Sequence, residues 1–258
     1  MLRPRIIPCL LVHDGGLVKT VRFQHPKYVG DPINAVKIFN EKEADELIVL
    51  DIDASVRGVE PNVRLIEQFA AECRMPLCYG GGIKTTEHAK RIIGLGVEKV
   101  AISSAALENP ALITEVSDEI GRQSVVVVLD VKRRSGGAEY DVVIHNGKVG
   151  TGKSVASVAQ QIEALGAGEL VVNSIDNDGE MKGYDLQLAK LLRAAVQIPL
   201  TILGGAGSLA DIGSLIRACG VVGAAAGSLF VFKGAYRAVL INYPPAAQKE
   251  DLFRRALS

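Results

Sequence analysis

A cassette of glycines and other small residues occurs twice in this 258-residue chain. The first copy runs Gly80-Gly81-Gly82-Ile83, passes through a helical stretch to Gly96, and ends at Val100-Ala101-Ile102-Ser103-Ser104. The second runs Gly204-Gly205-Ala206-Gly207, passes to Gly220, and ends at Ala224-Ala225-Ala226-Gly227-Ser228. Matched positions such as Gly80 and Gly204 lie 124 residues apart, close to half the chain. Each copy reads as strand end, glycine turn, helix, strand and a second small-residue turn. Backbone N–H groups exposed at such turns bind phosphate, so the repeat predicts a duplicated fold with two anion grips. The competing reading is that these glycines only permit tight turns.

Around the cassettes, short β-branched runs alternate with amphipathic stretches. Strands are expected at Arg5–Val12, Glu46–Asp51, Pro76–Tyr79, Lys99–Ser103, Ser124–Val131, Glu169–Ser174, Leu200–Leu203 and Gly223–Ala226. Helices are expected at Asp31–Lys42, Asn62–Cys73, Thr86–Leu95, Pro110–Ile120, Ser154–Leu165, Leu186–Val196 and Ala210–Cys219. Eight alternating units with a half-length repeat point to the α/β class, specifically a (β/α)8 TIM barrel with half-barrel internal duplication. An open doubly wound sheet accounts for the repeat less well. No linker or low-complexity tract interrupts the chain, so residues 1–258 are expected to form a single domain. Two connections are long: residues 13–30, polar and carrying Lys19, and residues 132–153, where Glu139–His145 predicts a small hairpin. Both follow strands at corresponding positions of the two halves and so belong to the catalytic, C-terminal face.

Lys+Arg and Asp+Glu both total 29, which leaves no net charge to draw the chain to nucleic acid or an anionic membrane. The longest apolar stretch, residues 221–232, is too short and too rich in glycine to span a bilayer. Cys9, Cys73, Cys78 and Cys219 lack zinc-ribbon spacing and sit in apolar contexts, as buried free thiols do in a reducing compartment. No signal peptide is apparent after Met1-Leu2-Arg3, so a cytoplasmic location is expected, with no metal centre and no cofactor. Gly147 to Ser154 matches the phosphate-loop pattern GxxxxGK[ST]. Here, however, it would lie on a hairpin arm within a barrel insertion, so a substrate-covering or helix-capping role is the better reading.

Carboxylates at strand C-termini of a barrel face the substrate. Asp130 ends the fifth strand and is followed by a long loop, so acid–base chemistry is expected of it. Asp176 and Asp178 follow the sixth strand, and Asp51 and Asp53 follow the second. For Asp51, Asp53 and Asp178, chemistry and helix capping are equally supported. At the opposite rim Arg5, Glu46, Lys99 and Glu169 each begin a strand. Sequence alone favours a balanced ring of ion pairs plugging the barrel.

Several segments taken together, Arg5-Ile-Ile-Pro-Cys-Leu, Gly30-Asp-Pro, Leu50-Asp-Ile, Gly80-Gly-Gly-Ile, Ser174-Ile-Asp-Asn-Asp-Gly, Gly183-Tyr-Asp and Gly204-Gly-Ala-Gly, resemble the HisF family, the cyclase subunit of imidazole glycerol phosphate synthase. The resemblance covers essentially the whole chain. It implies a barrel of two similar halves, each holding one phosphate of a bis-phosphorylated substrate. It also implies a HisH-like glutaminase partner on the N-terminal face whose ammonia passes up the barrel. On these terms Arg5, Glu46, Lys99 and Glu169 become an ammonia gate, and Lys19 and Asp130 become catalytic. Phosphate or substrate binding falls on Gly82, Ser103, Ser104, Asp176, Asp178, Gly205, Gly227 and Ser228.

One departure is chemical. The family carries a catalytic aspartate at the end of the first strand, where this chain has Leu11, which can neither donate nor accept a proton. Ser103 is a milder departure, since the family usually has asparagine there. Loss of half the acid–base pair resembles HisF paralogues of bacterial surface-polysaccharide clusters. In those, a glutaminase pair is thought to supply ammonia for an amidino-type sugar, together with a third amidotransferase protein. The expected function is therefore that of an ammonia-accepting synthase subunit of a glutamine amidotransferase complex. A histidine-pathway cyclase and a non-catalytic ammonia-conducting scaffold are the alternatives.

Overall fold

The structure, a computed structural model, describes residues 3–134, 139–234 and 236–257. Met1, Leu2 and the part of the 132–153 connection at 135–138 therefore lie outside the described residues. The first half of the chain begins with β1 (Arg5–His13), the hairpin strands β2 (Gly16–Val21) and β3 (Gln24–Gly30), and α1 (Pro32–Glu41). It continues with β4 (Leu47–Asp51), α2 (Ala54–Arg57), α3 (Val63–Glu72), β5 (Leu77–Gly80), α4 (Thr86–Gly94) and β6 (Lys99–Ile102), and then α5 (Ser104–Glu108) and α6 (Ala111–Ile120). The second half opens with β7 (Val125–Arg133), the hairpin strands β8 (Tyr140–Ile144) and β9 (Val149–Ser154), α7 (Val155–Ala164), β10 (Glu169–Ser174) and α8 (Leu186–Ala195). It ends with β11 (Leu200–Leu203), α9 (Leu209–Cys219), β12 (Gly223–Ala226), α10 (Ser228–Val231) and α11 (Ala246–Leu257).

Eight parallel pairings close the ring in the order β1-β4-β5-β6-β7-β10-β11-β12 and back to β1. This is a (β/α)8 barrel. Its strands are near-continuous apolar runs because both faces are buried. Ile7, Cys9, Ile48, Cys78, Ala101, Val126, Val128, Val171, Leu203 and Ala225 form one cluster, the barrel interior. Their neighbours in the strands, such as Ile6, Leu10, Val49 and Val127, join the larger cluster shared with the helices. Helix starts are held by side-chain caps: Asp31, Asn62, Thr85, Asp185 and Ser208 each accept a backbone N–H from the first turn of the helix they precede.

The duplication is visible in the register. Leu11 on β1 pairs with Leu50 on β4, just as Asp130 on β7 pairs with Asn173 on β10. The glycine turns correspond with a shift of one residue from the 124-residue spacing. Gly81 (φ +128°) and Gly204 (φ +97°) would each place a Cβ 2.6 Å from a carbonyl oxygen at the end of the preceding strand, Asp51 and Ser174 respectively. β5 and β11 accordingly start at Leu77 and Leu200, whereas β6 and β12 start at Lys99 and Gly223.

Two features differ from the sequence reading. Residues 13–30, expected only as a long polar connection, form a hairpin: β2 pairs antiparallel with the end of β1 and with β3, and its Leu17 and Val18 are buried. The C-terminal helix α11, not expected from the sequence, packs on α9 and locks the barrel bottom. Lys249 of α11 is buried, donates to Asp45 at 2.6 Å and to the Glu43 carbonyl at 3.1 Å, and lies 4.9 Å over the Tyr243 ring. Asp45 in turn accepts the Ile6 N–H at 2.9 Å, and Tyr243 donates to the Ile6 carbonyl at 2.8 Å. Breaking a buried ion pair by removing one partner typically costs about 3–5 kcal/mol. Lys249→Met should therefore destabilise the fold by about that much, read from urea unfolding followed by circular dichroism. A loss within experimental error would show that α11 is held by apolar packing alone.

Candidate active site

The C-terminal ends of the strands surround a cavity of about 140 Å³, far larger than the ~10–15 Å³ a single water needs. Both expected grips line it. Gly82, Ser103 and Ser104 stand on one side, and Gly205, Gly227 and Ser228 on the other. The backbone is bare there for steric reasons. A Cβ at Gly82 (φ +73°) would lie 2.8 Å from the Val59 carbonyl, and one at Gly205 (φ +107°) would strike the Gly183 carbonyl.

The two grips differ in their surroundings. Lys19 of β2 is buried, and its ammonium donates to the Cys9 carbonyl. That ammonium sits so close to Gly227 that a Cβ there would collide with it. Burial pulls the Lys19 pKa below its ordinary value, against the attraction of Asp178. On the other side the tip of the β8–β9 hairpin reaches over the cavity. The His145 N–H donates to Ser104 Oγ at 3.1 Å, and the Asn146 amide donates to the Ile52 carbonyl at 2.9 Å.

Asp130 lines the cavity beside Asn173, whose amide nitrogen lies 3.4 Å from the Asp130 carboxylate. Burial pushes the Asp130 pKa up to about 7, with the charge of Asp178 adding to the rise and the Asn173 contact opposing it. Asp178 also lines the cavity. It accepts the Thr20 hydroxyl at 2.8 Å and the Phe23 N–H at 3.3 Å, which ties the β2–β3 hairpin to the barrel rim. Burial raises its pKa, and these two hydrogen bonds and Lys19 hold it back. Asp176, grouped with the site by sequence, does not line the cavity. It is exposed, because the short turn after β10 points it outward, where it accepts the Arg133 N–H at 2.8 Å.

Asp51 lines the cavity, but its carboxylate caps α2 by accepting the N–H groups of Asp53 and Ala54 at 2.9 and 3.1 Å. Asp53 holds His13 at 2.7 Å. Among the described residues His13, Asp14 and Asp53 are close enough together to bind a metal ion. Arg57, however, already lies 2.5 Å from Asp14 and 3.4 Å from Asp53 and supplies their positive charge. The Gly147–Ser154 stretch forms the hairpin turn and the exposed arm β9, paired antiparallel to β8. It is not a glycine loop between a central strand and a helix.

Four charges close the opposite end of the barrel. Lys99 Nζ lies 2.8 Å from both Glu46 and Glu169, and Arg5 pairs with Glu46 and lies 2.7 Å from Glu169. The Thr201 hydroxyl adds a 2.6 Å hydrogen bond to Glu169. Both glutamates are buried. Burial alone would raise the Glu169 pKa, but Arg5 and Lys99 outweigh it and hold the value at about 2. Burial likewise opposes the charge of Lys99, and the two glutamates overturn it and raise the pKa.

Sequence reasoning missed Asn173, Thr20, Phe23 and Asn146, all of which line the cavity. Asn173 could have been found, since it is an even number of residues along β10 from inward-facing Glu169 and Val171. The others arrive from hairpins whose docking no local pattern encodes.

A profile of the family described as "Histidine biosynthesis protein" matches residues 5–237. The chain is 56% identical over 253 residues to "Putative imidazole glycerol phosphate synthase subunit HisF" of Leptospira borgpetersenii, covering 98% of this chain and 100% of that one. It is 59% identical over 250 residues to "Putative imidazole glycerol phosphate synthase subunit hisF3" of Vibrio vulnificus (strain YJ016), covering 97% and 96% of the two chains. To "Imidazole glycerol phosphate synthase subunit HisF" of Exiguobacterium sibiricum it is 43% identical over 230 residues, covering 89% and 91%. With its closed barrel and these relatives spanning nearly its whole length, the chain belongs to the HisF family of imidazole glycerol phosphate synthase subunits.

Proposed function

We propose that this chain is the ammonia-accepting synthase subunit of a glutamine amidotransferase complex, acting on a phosphorylated small molecule in surface-polysaccharide biosynthesis. The observation that carries this reading is Leu11. It stands on β1 at the register equivalent of Asp130 and lines the same cavity. A cyclase that needs a carboxylate at this strand end in each half has only Asp130 here, since Asp51, the first-half acid lining the cavity, caps α2. General acid or base catalysis by a positioned group typically contributes about 10²–10⁴-fold, so a leucine at this position should cost the cyclase reaction about that much, which favours a different reaction for this chain. Asp130, with a pKa of about 7, is suited to exchanging a proton with an incoming amine or its product at neutral pH.

In this reading Lys19, beside Gly227 and Ser228, neutralises one anionic end of the substrate, and Gly82, Ser103 and Ser104 hold the other end. A HisH-like glutaminase docks on the N-terminal face. The Arg5–Glu46–Lys99–Glu169 ring then acts as the gate that its ammonia must open, and a third amidotransferase protein completes the pathway. The names of the relatives favour a second reading, a histidine-pathway cyclase that tolerates Leu11. Purified protein supplied with ammonia and the histidine-pathway ribotide separates the two. Turnover at ordinary enzyme rates would sink the polysaccharide assignment.

Asp130→Asn should abolish pathway output in cells, with a loss of about 10²–10⁴-fold in ammonia-dependent rate. Unchanged output would leave only the reading of a scaffold that conducts ammonia. The same variant carries a stability signature. Because the folded pKa of Asp130 lies above its unfolded value, the native state binds the extra proton between about pH 4 and pH 7. The aspartate therefore destabilises the fold increasingly as pH rises through that window. Asp130→Asn should be the more stable protein at pH 8, by on the order of a few kcal/mol, with the difference vanishing near pH 3. Melting curves across this range test the sign.

For the gate, Lys99→Ala should change ammonia transfer from glutamine while leaving inorganic phosphate binding intact. Equal loss of both would point to general destabilisation.

A further inference from the structure

Among the described residues, three buried side-chain polar atoms have no hydrogen-bond partner: Tyr79 Oη, Asn173 Oδ1 and Arg237 Nε. Of the three residues only Asn173 lines the cavity. Tyr79 lies between inward-facing Cys78 and Gly80 on β5, so its ring points to the helices. Asn173 is 6% exposed. Its amide nitrogen faces Asp130, which leaves the carbonyl oxygen as a buried acceptor awaiting a donor. Native structures rarely keep such an atom without a functional reason.

Its position suggests the donor. Glu169, Val171 and Asn173 alternate with outward residues on β10, so they form one column along the barrel axis. Glu169 belongs to the charged ring at the bottom. Between the ring and Asn173 the interior wall is apolar, built from Ile7, Ile48, Val126, Val128 and Val171 with the Cys78 thiol. Among the described residues, a small polar molecule rising from the ring meets no carboxylate or amide side chain on this wall until it reaches Asn173 and Asp130. The wall across the repeat offers nothing comparable, because the register-equivalent residues there are Leu11 and Leu50.

We infer that Asn173 is the amine-receiving residue of this cavity: its Oδ1 accepts an N–H of ammonia or ammonium, while its amide nitrogen holds the Asp130 carboxylate beside the bound molecule. This rests on the ammonia-accepting reading above and adds to it the side from which nitrogen is delivered. The substrate's acceptor carbon then lies against the β7–β10 wall, and an apolar part of the substrate lies against Leu11 and Leu50.

The test is a titration of the full-length, isotope-labelled protein with ammonium chloride, with sodium chloride as control. It follows the Asn173 side-chain amide and the Asp130 carboxyl by NMR. Ammonium should shift both signals saturably and sodium should not. Asn173→Leu should weaken the Asp130 response by about tenfold, the loss of one hydrogen bond. Asn173→Thr, which keeps an acceptor oxygen, should recover part of it and guards against a leucine variant that fails to fold. A wild-type protein indifferent to ammonium overturns the inference, as does an Asn173→Leu variant that folds and responds as strongly as wild type. The synthase reading fails separately, if pathway output in cells does not depend on ammonia.

Discussion

The pairing of β12 with β1 turns a twisted sheet into a barrel whose interior must be filled by its own strands, and the residues at that seam make the pairing possible. β12 is Gly-Ala-Ala-Ala, and a Cβ at Gly223 would collide with the Thr201 hydroxyl and lie 3.1 Å from Ile7. With small residues on one side of the seam, Ile7, Ile48, Val126 and Val171 fill the centre from the others. Closure also decides which polar groups meet. The strand starts bring Arg5, Glu46, Lys99 and Glu169 together from four places in the chain, and the strand ends bring both grips around one cavity.

Closure makes each end of the barrel a place where charge is expensive, and the chain handles the two ends differently. At the bottom two buried glutamates face two cations, and Arg5 and Lys99 hold the pKa of Glu169 down at about 2. At the top, among the described residues, Asp130 has no ion-pair partner and only a long contact with Asn173, so burial lifts its pKa to about 7. The bottom arrangement is matched in charge, two cations against two carboxylates. The top one is mismatched, and a mismatched buried carboxylate is a common mark of a functional site.

Much of this was legible in the chain before folding. β10, β11 and β12 begin and end where their β-branched or small-residue runs do, because strands buried on both faces leave continuous apolar signals. Asp130, Lys19 and the small residues of both grips all line the cavity, since a barrel directs strand ends to one face. What failed was local. Asp176 and Asp178 differ by two positions in one turn, and only the turn's path sends the second inward and the first out. The β2–β3 hairpin and α11 were missed because their stability comes from docking: Leu17 and Val18 under the hairpin, Lys249 on Asp45 under the helix.

By itself the sequence determined the barrel, its two-fold repeat and the substitution of Leu11 for an acid, since periodicity, glycine spacing and residue identity are properties of the chain. Only the tertiary structure decided that Asn173 stands beside Asp130 with an empty acceptor, that Lys19 sits buried at one grip and not the other, and that four scattered charges form one ring. Those facts depend on register and burial across residues far apart in the chain, and on an interior that raises the energy of every charge it leaves unpaired.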